Sequence, residues 1–268
     1  MFRCERLGGP DGVTHSGEHM LTNVTTGFIA RLRSNDEAAW YELWETFGPV
    51  LRAQLTKWGQ GRIGVETVRD LSQETLTALS GSIDRYDPAK GARFSTWLLA
   101  IAKHVLGDEI DKRMALKRGG GKRAASFEET WMMASADEGV DAAYEAAVFR
   151  AKVEAAIRGV ERRTEFMDFS IYRMRVLDGM SGKEVAESVG VSEPTVSRRL
   201  AKVRETLRLE LREIVGKYSF TADELAEAER NGVELNPSKA DDAFFDESVA
   251  EIYRRQQELR RLDEEAAR

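Results

Sequence analysis

Apolar residues recur at helical spacing along most of the chain, interrupted by short polar or glycine-rich breaks. Thr25 to Arg33 reads as a short amphipathic helix, with Ser34-Asn35-Asp36 as a turn and a cap for the next one. Glu37 to Trp58 carries Trp40, Leu43, Trp44, Phe47, Leu51 and Leu55 on one stripe, which predicts a buried face. Gly59 to Gly64 is a loop. Val65 to Ser80 resumes the pattern, with Leu71, Leu76 and Leu79 inward and Asp70, Gln73 and Glu74 on a polar edge. The run Asp87-Pro88-Ala89-Lys90-Gly91 breaks it again, because Pro88 restrains Asp87 from helical torsions and Gly91 adds flexibility. A further helix begins near Ser95. Phe94, Trp97, Leu98, Ile101, Val105 and Ile110 keep core spacing, leaving Lys103, His104, Lys112, Arg113, Lys117 and Arg118 for another surface.

From Gly119 to Val140 the period is lost. Triple glycine, two cations and then small and acidic residues describe a flexible linker, on which Trp131, Met132 and Met133 form either an anchor or a short local helix. Asp141 to Arg158 is predicted helical with Tyr144, Val148, Val153 and Ile157 inward, and Glu165 to Leu177 follows as another helix. Ser181 with Glu184 three residues on is a capping-box pattern, and Gly190 permits a tight turn. Ser192 caps the next helix with Pro194 in its first turn. With Val196, Leu200, Val203 and Leu207 inward, the pair reads as a helix-turn-helix. Its second helix turns Thr195, Ser197, Arg198, Arg199, Ala201, Lys202 and Arg204 outward. Such a helix reads base edges near its N-terminus and holds phosphates with flanking cations. Arg198 and Lys202, one turn apart, are the candidates for base contact; Arg199 and Arg204 suit the DNA backbone.

Composition agrees with a helical chain: 268 residues, 32% charged, 8% aromatic, five prolines. The net charge of −6 runs against DNA binding until it is located. Lys217 to Arg268 holds 14 acidic and 8 basic residues, so the tail accounts for the whole excess and the body before it is balanced. Binding to nucleic acid depends on local basic patches, so the total does not exclude it. The lone Cys4 excludes a disulfide framework and a cysteine-rich zinc site, which suits a reducing cytoplasm. No apolar run approaches the roughly 18–20 residues of a membrane span. Residues 1–19 lack the apolar core of a secretory signal and read as disordered, with Met20 a candidate start of the protein. His15 and His19 have the spacing of a helical metal pair, but their glycine-rich surroundings favour coincidence, so no metal or cofactor is expected. No nucleotide-binding glycine loop or nucleophile–base constellation argues for an enzyme.

The elements D-L-x-Q-E-T (Asp70 to Thr75) and R-F-S-T-W-L-L-A-I-A (Arg93 to Ala102) resemble conserved region 2 of the sigma-70 family of RNA polymerase sigma factors, in its short extracytoplasmic-function (ECF) class. Ile29 to Leu51 is similar to the opening helices of that region, and Ala147 to Val215 to sigma region 4. The resemblance implies an all-α fold. After a disordered N-terminus (1–23) come region 2 (24–118), a linker (119–140), region 4 (141–215) and an acidic helical extension (216–268). It also implies core RNA polymerase and promoter DNA as partners, with the clamp helices of the largest polymerase subunit and the flap region as docking sites. Asp70, Gln73 and Glu74 would meet the clamp, Lys103, Lys112 and Arg113 would hold −10 phosphates, and His104 would face an extruded base. Region 4 would read the −35 element.

One departure stands out. Where the family usually has an acidic D-A-E-D cluster, this chain has Thr67-Val68-Arg69-Asp70, so that Arg69 faces the clamp with like charge. Phosphate on Thr67, a candidate phosphosite, would restore about −1.5 to −2 of charge. A Ser/Thr kinase is therefore a candidate partner, beside a conventional anti-sigma factor. The extension carries Thr221-Ala222-Asp223-Glu224 as a capping box, Asn231-Gly232 as a stop and a second helix start at Ser238 to Asp241. The apolar residues of that last helix (Phe244, Phe245, Val249, Ile252, Tyr253, Leu259, Leu262) need a surface: the sigma domains or another protein. The extension's acidity also suits a decoy for the basic faces. Two rival readings are a helix-turn-helix regulator acting without polymerase, and an adaptor or anti-sigma-like protein on a sigma scaffold.

Overall fold

A computed structural model describes residues 27–59, 62–87, 93–118, 142–219 and 242–266. The expectations for the N-terminal segment, most of the 87–91 break, the linker with Trp131 to Met133, and the 221–241 caps lie outside these residues. Every regular element among them is helical. We number them α1 (27–33), α2 (Glu37–Gly59), α3 (Val65–Ser82), α4 (Phe94–Arg118), α5 (Ala142–Arg163), α6 (Phe166–Tyr172), α7 (Gly182–Val189), α8 (Glu193–Tyr218) and α9 (Asp242–Ala266). None is long and apolar enough to cross a membrane.

The local signals act as their chemistry requires. Asn35 takes a left-handed φ of 57°, and Asp36 Oδ1 accepts from the backbone N–H groups of Ala38 and Ala39 at 2.9 and 3.2 Å, capping α2. A hydrogen bond from Arg31 holds the Asp36 carboxyl below its ordinary range. Ser181 and Glu184 complete the reciprocal capping box at the start of α7, and Gly190 ends it with φ 69°. Ser192 occupies the N-cap position of α8, yet its hydroxyl bonds to the Thr195 hydroxyl at 2.9 Å instead of capping the backbone. The helix expected over 165–177 is α-helical only to Tyr172. Arg173–Leu177 widens into a π turn closed by Asp178 N–H to Arg173 carbonyl, which buries Leu177.

In the N-terminal unit, α3 packs on α2 and α4. Leu43, Leu51, Leu55, Leu79, Phe94, Leu98 and Ile101 are fully buried there. Trp44, expected in this core, is instead half-buried at its edge. The Arg52 guanidinium lies 5.1 Å above its ring, and Gly48 provides the space, since a Cβ there would come within 2.9 Å of the indole. Trp40 packs on the core and donates its indole N–H to Leu32 carbonyl at 3.1 Å.

In the C-terminal unit, α8 is the spine, with α5, α6 and α7 packed around it. The sequence gives no sign of how the two units meet. Here α5 lies against α2, and one apolar cluster runs through both units. Tyr218, the last residue of α8, meets Phe28 and Phe47 edge-on, both at 5.3 Å, and its hydroxyl donates to Glu42 carbonyl at 3.3 Å. Ion pairs surround that contact: Lys217 with Glu42 at 3.1 Å, Arg158 with Glu45 at 3.3 Å. At the other end of α5, Ser95 donates to Glu145 at 3.0 Å and Tyr144 donates to Ser95 carbonyl at 3.3 Å. The cleft left between α2, α5 and α8, about 140 Å³, is walled by groups already paired, including Glu42 with Lys217 and Glu210 with Arg163.

Candidate functional site

The outward side of α3 is the first surface with a distinct character. Val68, Leu71, Ser72, Thr75 and Leu79 are buried against the neighbouring helices, which turns Asp70, Gln73 and Glu74 into solvent. Their i, i+3, i+4 spacing puts them on one edge. Glu66 extends that edge by one turn. The sequence reading missed it, although its position four residues before Asp70 was a signal. Glu66 also pairs with Arg69 at 2.7 Å, so the cation that breaks the acidic run is met locally by a carboxylate. Thr67 lies beside this edge, half-buried, and its hydroxyl accepts from Arg113 Nη2 of α4 at 2.9 Å.

The four basic candidates on α4 do not form one patch. Lys103 and Lys112 are nine positions apart, which places them about 180° apart round a helix. Lys103 is exposed with its ammonium 5.5 Å from the Trp58 ring. Arg113, expected on DNA phosphates, is turned to α3 and its surroundings: it binds Glu109 at 2.6 Å as well as Thr67. His104 is mostly covered and lies 3.7 Å from Asp108 one turn on. His104 and Lys112 are about 80° apart, as are Lys103 and Arg113, so the four are spread round the helix.

On α8, Val196, Leu200, Val203 and Leu207 are buried, and Ser197, Arg198, Ala201 and Lys202 are exposed. The exposed strip ends in Glu205 and Leu209, so its basic character belongs to the N-terminal half of the helix. Arg198 folds back toward Pro194 carbonyl at 3.3 Å and the Thr195 hydroxyl at 3.4 Å. Arg199 and Lys202 both bind Asp168 of α6, whose side chain is 3% exposed. Arg204 is not on the strip. It is 12% exposed on the flank of α8 and is held by Asp242 and Asp246 of α9. Neither Asp168 nor these tail aspartates were legible as partners, because their contacts cross between elements.

Two family models match the chain, sigma-70 region 2 over residues 43–115 and sigma-70 region 4 over 168–207. Two curated relatives are each 29% identical over 143 residues, covering 53% of this chain and 69% of theirs. They are a probable RNA polymerase sigma-C factor of Mycobacterium bovis and the ECF RNA polymerase sigma factor SigC of Mycobacterium tuberculosis. The two matches fall, in order, on the N-terminal helices and on the helix-turn-helix. The chain belongs to the sigma-70 family, in its ECF class. It is thus a promoter-directing RNA polymerase sigma factor.

Within this ECF factor, most of α2, α3 and most of α4 fall in the region 2 match, and most of α6, α7 and much of α8 in the region 4 match. Asp168 is the internal fixture of region 4. Hydrogen bonding from Lys202, and then from Arg199, holds its carboxyl below the ordinary value of 3.8. A lowered folded value means its stabilising contribution is complete above the unfolded value and is lost as pH falls through the folded one. Asp168→Asn is therefore expected to cost about 1.5–3 kcal/mol at neutral pH. That difference should close as the medium is acidified below about 3.8. Thermal melts of both proteins across that range check it, and a difference independent of pH would contradict it.

Proposed function

We propose that this sigma factor docks on core RNA polymerase through the outward edge of α3, with Asp70, Gln73 and Glu74 as the contacts and Arg69 beside them. In the same reading α4 works at the −10 element through His104 and Lys112, with Lys103 on its other side, and the exposed start of α8 reads the −35 element. Thr195, Ser197, Arg198, Ala201 and Lys202 form that reading surface, with Arg199 beside it. The setting is the cytoplasm, where polymerase and DNA are found. The observation that carries the reading is the exposed edge of α3. Four turns of helix are buried on one side, yet the opposite side keeps Glu66, Asp70, Gln73 and Glu74 in water. Carboxylates left so are available for charge-assisted pairs with an arginine-rich partner.

Thr67 is the control point in this proposal, with a Ser/Thr kinase as the partner. Its hydroxyl already lies 2.9 Å from the Arg113 guanidinium, the geometry in which a phosphate would gain charge-assisted hydrogen bonds. The new dianionic group would draw Arg113 from Glu109 and add negative charge next to Asp70. Phosphorylated protein is expected to bind core polymerase at least about tenfold more tightly than Thr67→Ala, the equivalent of one charged hydrogen bond. Equal affinities, measured on the same core preparation, would remove the phosphate from the account. An anti-sigma factor that sequesters the unmodified protein would instead be released by mutations on its own contact surface, with Thr67 irrelevant.

A further inference from the structure

The first turns of the tail helix α9 set two aspartates against two arginines of α8. Arg204 Nη1 reaches Asp242 at 2.7 Å, while its Nη2 and Nε grip the two oxygens of Asp246 at 2.6 and 3.0 Å. Arg208, one turn on, binds the other oxygen of Asp242 at 2.9 Å and lies 4.6 Å over the Phe245 ring. Two guanidinium groups thus share two carboxylates, and both arginine side chains are nearly covered, at 12% and 10% exposure. Forked contacts of this kind are the ones arginine makes with phosphate. Arg208 lies about 80° round the helix from Arg198, and Arg204 about 120° in the same sense, so both lie on one flank of the exposed strip.

The hold of α9 is also limited. Val249 and Ala250 are the buried apolar residues of its described side chains, with Phe245, Ile252 and Tyr253 only partly covered. Farther along, Arg255 opposes Arg150 of α5. Burial, and then this like charge, lowers the Arg150 pKa, and its Nε is buried without a hydrogen-bond partner.

We propose that Arg204 and Arg208 form a phosphodiester-binding pair beside the recognition helix, and that Asp242 and Asp246 occupy it as an intramolecular stand-in for DNA. Duplex DNA competes with α9 for the two arginines, so the acidic tail sets the affinity of region 4. The inference rests on the reading that region 4 binds duplex DNA through Arg198 and Lys202.

The test uses the full chain and a short mixed-sequence duplex, with affinity measured over a range of salt concentrations. Asp242→Asn/Asp246→Asn is expected to bind about tenfold more tightly at low salt, with a salt dependence steeper by about two units for two added phosphate contacts. Adding Arg204→Gln/Arg208→Gln should cancel that gain, and a gain that survives these changes would overturn the proposal. Unchanged or weaker binding by the aspartate variant, with its melting curve still cooperative, would overturn the proposal and make α9 a brace. Equal losses from the arginine changes in both tail backgrounds would overturn it too, since the pair would then touch DNA with α9 in place. Arg198→Ala separates the two levels. If it weakens binding while the aspartate variant gains nothing, only the tail proposal fails; if it has no effect, the reading of region 4 fails with it.

Discussion

Phe94→Ala is expected to remove about 3–5 kcal/mol of stability, roughly a fifth or more of the 5–15 kcal/mol that a domain of this kind has to lose. Phe94 is fully buried and joins Phe47 at 5.7 Å, Tyr86 at 5.6 Å and Trp97 at 6.0 Å, all with edge-on rings. Tyr86 in turn stacks on Trp97 at 4.9 Å. Phe47 continues the chain of rings to Tyr218, so the cluster spans region 2 and the end of α8. Truncation leaves a cavity that the three neighbouring rings cannot fill by rotamer changes. The midpoint of thermal unfolding should fall by about 10 °C. Phe166→Ala, at a residue 86% exposed, should move stability by less than about 0.5 kcal/mol. A loss below about 1 kcal/mol for Phe94→Ala would show that the cluster is not the keystone of the core.

Reversing the charges at Asp70 and Glu74 to lysine should weaken the complex with core polymerase by at least about 100-fold. Removing one partner of a desolvated charge pair costs about 2–5 kcal/mol, and reversal adds repulsion. Both side chains are exposed and neither belongs to the core of α3, so the melting temperature should hardly move. Binding of duplex DNA by region 4 should also persist, which separates this effect from misfolding. Wild-type affinity for core in the reversed protein would place the docking edge elsewhere.

How far the sequence foretold this molecule depends on the range of each signal. Most short-range signals held: the Asp36 cap, the Ser181–Glu184 box, the left-handed Gly190 and the inward face of α8 follow from spacings of three or four residues, while the Ser192 cap and the last turn of the 165–177 helix did not form as expected. The acidic edge of α3 was legible for the same reason. Longer-range choices were not. Tyr218 reads as one more apolar residue at a helix end, and nothing local says that it closes region 4 on Phe28 and Phe47. Trp44 has the spacing of a core residue but sits at the rim, because Gly48 opens a shelf for the ring and Arg52 covers it. Arg204 was set among the DNA contacts, and only the fold reveals the two aspartates, some forty residues later, that hold it. The division among the α4 cations was different: the nine-residue step from Lys103 to Lys112 already implied opposite sides of the helix.

The N-terminal and C-terminal units share a core in this conformation, through Tyr218, Tyr144 and the ion pairs of Glu42 and Glu45. In the proposed reading, promoter recognition must be compatible with, or release, those contacts, and docking at the α3 edge would leave them in place. The tail adds a second internal partner on region 4.

The measurement that bears most directly on this account is run-off transcription with cognate core polymerase, the purified full chain and native genomic templates. Transcripts from discrete start sites that require the protein, and that vanish with the Asp70→Lys/Glu74→Lys chain, are the expected result. Transcripts no different from those of core alone, together with duplex binding but no stable complex with core, would contradict it and leave a DNA-binding protein on a sigma scaffold.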